Sequence, residues 1–133
     1  MNDRFFLDTF WVQAVLNRTD TYHLAAVRWL PRVEAAQVWT TEAVLTEIGN
    51  ALSALARPQA ADFIARCYAT PSIHVVTVST ALFERALALY TARSDKQWGL
   101  TDCISFVVME DENLRDALTG DRHFVQAGFN ALL

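Results

Sequence analysis

The chain has 133 residues, of which 53% are apolar and 20% charged, and a formal net charge of −4. That is the length of one domain, 1–133, with a sizeable core, and the composition excludes an intrinsically disordered chain. Ten arginines and the single lysine Lys96 against fifteen acids exclude a broad nucleic-acid footprint held by bulk electrostatics.

In chain order, "RFFLD" (4–8) is a short apolar run ending in an acid, the pattern of a buried parallel strand. Helices are predicted over 10–17 and 21–36, with Pro31 interrupting the second. "QVWT" (37–40) is the second strand. "TEAVLTEIGNALSALA" (41–56) sets Val44, Leu45, Ile48, Leu52 and Leu55 on one helical stripe, with Thr41 as its N-cap. A helix over 58–69 starts at Pro58. "IHVVTV" (73–78) is the third strand, and a helix over 80–93 turns Leu82, Ala86 and Leu89 inward. "SDKQWG" (94–99) is a loop, and "LTDCISFVVM" (100–109) a helix that is apolar except near its start. "DALTG" (116–120), "DRHFVQA" (121–127) and "FNALL" (129–133) complete the chain as strand, short helix and strand.

Strands alternating with helices predict a parallel sheet covered on both faces. In such sheets ligands bind beyond the C-terminal strand ends. No apolar run approaches the ~20 residues of a membrane helix. No basic start leads into a long apolar stretch, so no secretory signal is expected. Cys67 and Cys103 lie far apart in apolar helical contexts, which fits buried thiols in a reducing cytoplasm.

Four acids fall where that sheet would gather them. Asp8 ends the first strand and Asp121 follows the fourth. Asp102 opens an apolar helix. Glu47 lies ~110° from the centre of its helix's apolar stripe, at an edge from which it can curl over the sheet end. Each has a plainer role available: Asp8 and Asp121 as helix caps, Glu47 as a solvated helix acid, Asp102 as a carboxylate on a helix N-terminus. Four carboxylates meeting together stay ionised only with a counter-cation. Oxygen ligation with open positions suits Mg²⁺ or Mn²⁺.

"FLDT", "TEIGNAL", "DKQWGLTDCISFVVM" and "ALTGDRHFVQAGF" together resemble the PIN-domain family, and within it the VapC-like toxin ribonucleases. The resemblance runs from Phe5 to Leu132. It implies a three-layer α/β/α sandwich with a central, mainly parallel sheet of four to five strands. It also implies a Mg²⁺- or Mn²⁺-dependent endoribonuclease, often dimeric and often the toxin half of a toxin–antitoxin pair. The family's acidic quartet carries over to Asp8, Glu47, Asp102 and Asp121. Thr9 matches a supporting hydroxyl residue and Asp95 a recurrent acid near the active-site face. Phe10 and Trp11 stand where smaller residues are frequent, so the mouth of the site is expected to differ in shape.

On this reading Asp8 and Asp102 are the principal metal ligands, and Glu47 and Asp121 complete the shell and orient a water. Thr101 caps its helix. Ser105 hydrogen-bonds an acid or lines the site. His123 packs and hydrogen-bonds. An antitoxin would insert a basic side chain, Arg above all, toward the quartet. The competing reading is a catalytically inactive PIN-like domain that binds a protein partner through its acidic pocket. A receiver-like phosphoacceptor domain is disfavoured, because "IHVVTV" ends without an acid and the only lysine lies in a loop. A flap-type DNA nuclease is disfavoured by the short chain.

Overall fold

A computed structural model describes residues 3–133. The strands are β1 (Arg4–Leu7), β2 (Gln37–Thr41), β3 (Ile73–Val76), β4 (Asp116–Leu118) and β5 (Asn130–Ala131). The helices are α1 (Thr9–Leu16), α2 (His23–Val27), α3 (Leu30–Glu34), α4 (Glu42–Ala51), α5 (Arg57–Ala69), α6 (Thr80–Ala92), α7 (Leu100–Asp111) and α8 (Arg122–Gln126). The strands form one sheet in the order β3-β2-β1-β4-β5, with every pairing parallel. Helices sandwich it, as the alternation predicts.

β1 is the centre of the sheet and reads as three buried residues, Phe5, Phe6 and Leu7. A strand flanked on both sides and covered on both faces has no solvent side, so its residues do not alternate in polarity. From β1 the chain moves outward to β2 and β3, then returns to place β4 on the other side of β1. That reversal opens a crevice beyond the C-terminal ends of β1 and β4. Leu7 and Leu118 are register partners there, so the residues after each emerge side by side.

Thr41 caps α4 as the sequence predicts: its hydroxyl accepts from the Val44 amide at 3.1 Å. Val44, Leu45 and Ile48 are buried on the expected stripe. α4 stops at Ala51, however, so Leu52 packs from beyond its end and Leu55 is 66% exposed. The predicted helix over 21–36 is two short helices. Pro31 sits in the first turn of α3, where its missing N–H costs nothing, and α2 ends before it. α2 is held to α1 by Trp11, whose indole N–H donates to the Ala26 carbonyl at 3.0 Å. β3 and β5 are shorter than the apolar runs that announced them.

Phe106 of α7 is the hub of an aromatic cluster, with Trp98, Phe124 and Phe129 around it at ring-centre distances of 5.0–5.8 Å. Cys67 and Cys103 are buried free thiols. No helix among the described residues is long and apolar enough to cross a membrane.

Candidate active site

Asp8, Glu47, Asp102 and Asp121 line one cleft of about 590 Å³, together with Thr9, Phe10, Gln13, Asn50 and His123. The backbone delivers each acid from a different element. Asp8 is extended at the junction of β1 and α1, where it caps the helix by position only and its side chain is turned to another task. Glu47 projects from the middle of α4, Asp102 from the first turn of α7, and Asp121 caps α8.

Each carboxylate accepts a hydrogen bond from the protein, which fixes its orientation. Thr119 Oγ1 donates to Asp8 Oδ2 at 2.7 Å. Thr9 Oγ1 donates to Glu47 Oε1 at 2.6 Å. The Gly99 amide donates to Asp102 Oδ2 at 3.1 Å, and the His123 amide donates to Asp121 Oδ1 at 2.9 Å. His123 Nδ1 lies 3.1 Å from Asp102 Oδ2 and 3.5 Å from Asp121 Oδ1.

Asp8 is only 6% exposed. Burial lifts its carboxyl from 3.8 to about 7; the Thr119 hydrogen bond opposes the shift, and the charges of Asp102 and Glu47 add to it. Burial also raises Asp102, against the Gly99 amide and His123 and with help from Asp121. Both shifts have one physical meaning: negative charge is expensive in this cleft while no cation shares it. Carboxylate oxygens gathered in a space that disfavours their charge could hold a hard divalent ion.

A pH dependence follows. The folded protein holds the Asp8 proton more tightly than the unfolded chain does. The stability this gives is complete below about pH 4 and is lost as pH rises through about 7. Urea unfolding of the metal-free protein is expected to show this group's contribution falling between about pH 4 and 7, and Mn²⁺ added at the upper end should restore it. A metal-free stability that climbs steadily over that range, with no response to Mn²⁺, would oppose this.

The remaining predicted site residues divide. Thr9 is in the cleft, buried, and grips Glu47. Thr101 does not cap its helix: α7 begins one residue earlier and Gly99 occupies the cap, so Asp102 closes on the Gly99 amide instead. Glycine has no side chain to return a bond. Ser105 is buried one turn on and donates to the Thr101 carbonyl at 3.1 Å, away from the acids. Asp95 is exposed and clasped by Arg93 through two hydrogen bonds of 3.0 and 3.1 Å, and it does not line the cleft. Arg93 in turn lies over the Trp98 ring, which is why that loop is ordered around a pair rather than around the site.

Of the two bulky residues after Thr9, Phe10 shapes the mouth and Trp11 belongs to the core. The Phe10 ring lies where a Cβ on Gly120 would be, 2.6 Å away, so only glycine leaves it this seat. Thr119 was not foreseen. Its one sequence signal is a hydroxyl two residues before Asp121, and its role depends on the β1–β4 register.

The family model of the PIN domain matches residues 5–130, and the chain belongs to that family. Its structure matches VapC20 of Mycobacterium tuberculosis, described as a sarcin–ricin loop cleaving toxin, with a TM-score of 0.84 and 26% identity, over 95% of this chain and 96% of that one. It also matches VapBC2 of Rickettsia felis, solved on a DNA fragment from its promoter, with a TM-score of 0.62, 15% identity and 95% and 94% coverage. FitAcB of Neisseria gonorrhoeae gives a TM-score of 0.62 at 16% identity, with 95% and 96% coverage. At those identities the last two speak for the fold alone. No curated protein matches by sequence.

Proposed function

We propose that this PIN-domain protein is a divalent-metal-dependent endoribonuclease and the toxin half of a toxin–antitoxin pair. The observation that carries the reading is the meeting of Asp8, Glu47, Asp102 and Asp121 in one cleft at the switch point of the sheet. The likeness to a toxin that cleaves the sarcin–ricin loop makes structured RNA the first substrate class to try.

Bound among the four carboxylates, Mg²⁺ or Mn²⁺ would neutralise phosphodiester charge and make a water acidic enough to attack. The protein's part is positional. Asp8 and Asp102 are the ligands nearest the floor, one steadied by Thr119 and the other by the Gly99 amide. Glu47, held by Thr9 at the exposed rim, is placed to orient a water or accept its proton. Asp121 lies beside Asp102, with an oxygen of each within 4.8 Å, and one of its oxygens is pinned by the start of α8. The net charge of −4 works against RNA, so the ion and local arginines such as the exposed Arg122 supply the attraction.

The purified chain is expected to cut a sarcin–ricin-type RNA hairpin with Mn²⁺ and to stop completely in EDTA. Intact RNA at saturating Mn²⁺, with a protein partner still captured at the acidic cleft, would support the inactive, partner-binding reading instead. For the toxin reading, an antitoxin presenting an arginine toward the quartet is the complementary partner. The two buried free thiols fit a reducing cytoplasm. A homodimer belongs to the same proposal. Phe83, Leu87 and Tyr90 form an exposed stripe on one face of α6, at 40–48% exposure. Light scattering should report a dimer that Leu87→Glu turns into a monomer; a wild-type monomer would remove this part.

A further inference from the structure

We infer that His123 is a protein ligand of the divalent ion, through Nδ1, and that it gives the site a preference for Mn²⁺ over Mg²⁺. This rests on the metal-nuclease reading above and adds to it a nitrogen donor that the acidic quartet does not contain.

The geometry is the starting point. One oxygen of Asp102, one of Asp121 and one ring nitrogen of His123 all lie within 4.8 Å of one another. Nδ1 is 3.1 Å from the first carboxylate and 3.5 Å from the second. Adjacent ligands around one octahedral ion with bonds near 2.1 Å are separated by ~3 Å, so these spacings are those of neighbouring ligand atoms.

A hydrogen bond alone explains less of this arrangement. A ring nitrogen carries at most one proton, and that proton can be directed at only one of two carboxylates. The second carboxylate, that of Asp121, is tied to this residue through the His123 amide and not through the ring. A cation set among the three atoms serves all of them at once. The other ring nitrogen, Nε2, has no hydrogen-bond partner among the described residues, so Nδ1 is the nitrogen that faces the carboxylates.

The backbone keeps the ring in place. The His123 amide is bonded to Asp121, and the next residue, Phe124, is fully buried. The ring is therefore presented by a short helix anchored on both sides of it. Nitrogen ligation favours a first-row transition ion over Mg²⁺, which prefers oxygen and retains its waters. His74 and His23 are engaged elsewhere, with Gln37 and the Ala14 carbonyl. Any nitrogen signal from the bound ion can thus be assigned.

The test uses the full chain and Mn²⁺ alone. Pulsed electron paramagnetic resonance of the Mn²⁺ complex should show ¹⁴N coupling from one imidazole, and His123→Ala should remove it. By calorimetry, His123→Ala should weaken Mn²⁺ binding about tenfold or more and Mg²⁺ binding far less. Mn²⁺ bound to the wild type without nitrogen coupling would overturn the inference and leave the carboxylate site standing. No Mn²⁺ binding at all would overturn both. Because the wild-type spectrum decides the main question, the result does not depend on how well the variant folds.

Discussion

Asp8→Asn is expected to abolish Mn²⁺-dependent RNA cleavage and, in the absence of metal, to make the protein more stable. The loss of activity should be at least about 100-fold, since outer-shell partners of a metal alone cost 10–100-fold when removed. The gain in stability has a separate cause. Asp8 is buried, its carboxyl is lifted to about 7, and Asp102 and Glu47 add repulsion. Above that pH the folded protein carries a charge that the unfolded chain holds far more easily. Asparagine keeps the shape and an oxygen to accept the Thr119 hydroxyl, and has no charge to desolvate. At pH 8 the metal-free variant should be more stable by about 1–4 kcal/mol, and near pH 4 the difference should close. Thermal melts in EDTA at the two pH values, beside a cleavage assay in Mn²⁺, check both halves. Turnover within a few-fold of wild type would remove Asp8 from the proposed ligand set. A destabilised variant at pH 8 would mean that the hydrogen bond matters more than the buried charge.

Phe124→Ala is expected to cost about 3–5 kcal/mol and to take the activity with it. α8 has five residues, too few to hold itself together in water. What holds it is Phe124, fully buried and packed edge-on against Phe106 at 5.1 Å and near Phe6 at 6.3 Å. Asp121 and His123 ride on that anchor. Truncating the ring opens a cavity between α7 and the sheet and frees the segment that carries two cleft residues. Phe124→Leu retains most of the volume and should cost clearly less, with cleavage preserved. Urea denaturation with a parallel cleavage assay measures the pair. A cost below about 1 kcal/mol for the alanine variant would show that α8 is held by something other than this side chain.

Much of the fold was legible because burial leaves a strong mark. Phe5–Leu7 is apolar without alternation, as a central parallel strand must be. Thr41 before Val44 announced the start of α4. Other features were hidden because they depend on partners distant in sequence. Pro31 already marked the second helix as interrupted, but the docking of Trp11 on Ala26, which holds α2 in place, left no local sign. The end of α4 was invisible, since Leu55 continues the apolar spacing yet is left exposed. Thr101 had the chemistry of a cap, but the backbone turned at Gly99 and gave that place to a residue with no side chain.

Three of the cleft acids could be read from strand ends and a helix start, where α/β architecture gathers ligands, and Glu47 from its place at the edge of a helix's apolar stripe. Their supports could not. Thr119 reaches Asp8 across 111 residues of sequence, and only the pairing of Leu7 with Leu118 puts them together. Asp95 illustrates the opposite failure. An acid beside the right motif was drawn away by Arg93, two residues earlier, and a local ion pair leaves no trace that tells it from a site residue.

Anomalous diffraction from crystals grown with Mn²⁺ would test the central claim most directly. The account predicts a peak inside the cleft, within about 2.0–2.6 Å of carboxylate oxygens of the quartet, Asp102 among them. An empty cleft at saturating Mn²⁺, in protein that still cleaves RNA, would contradict it.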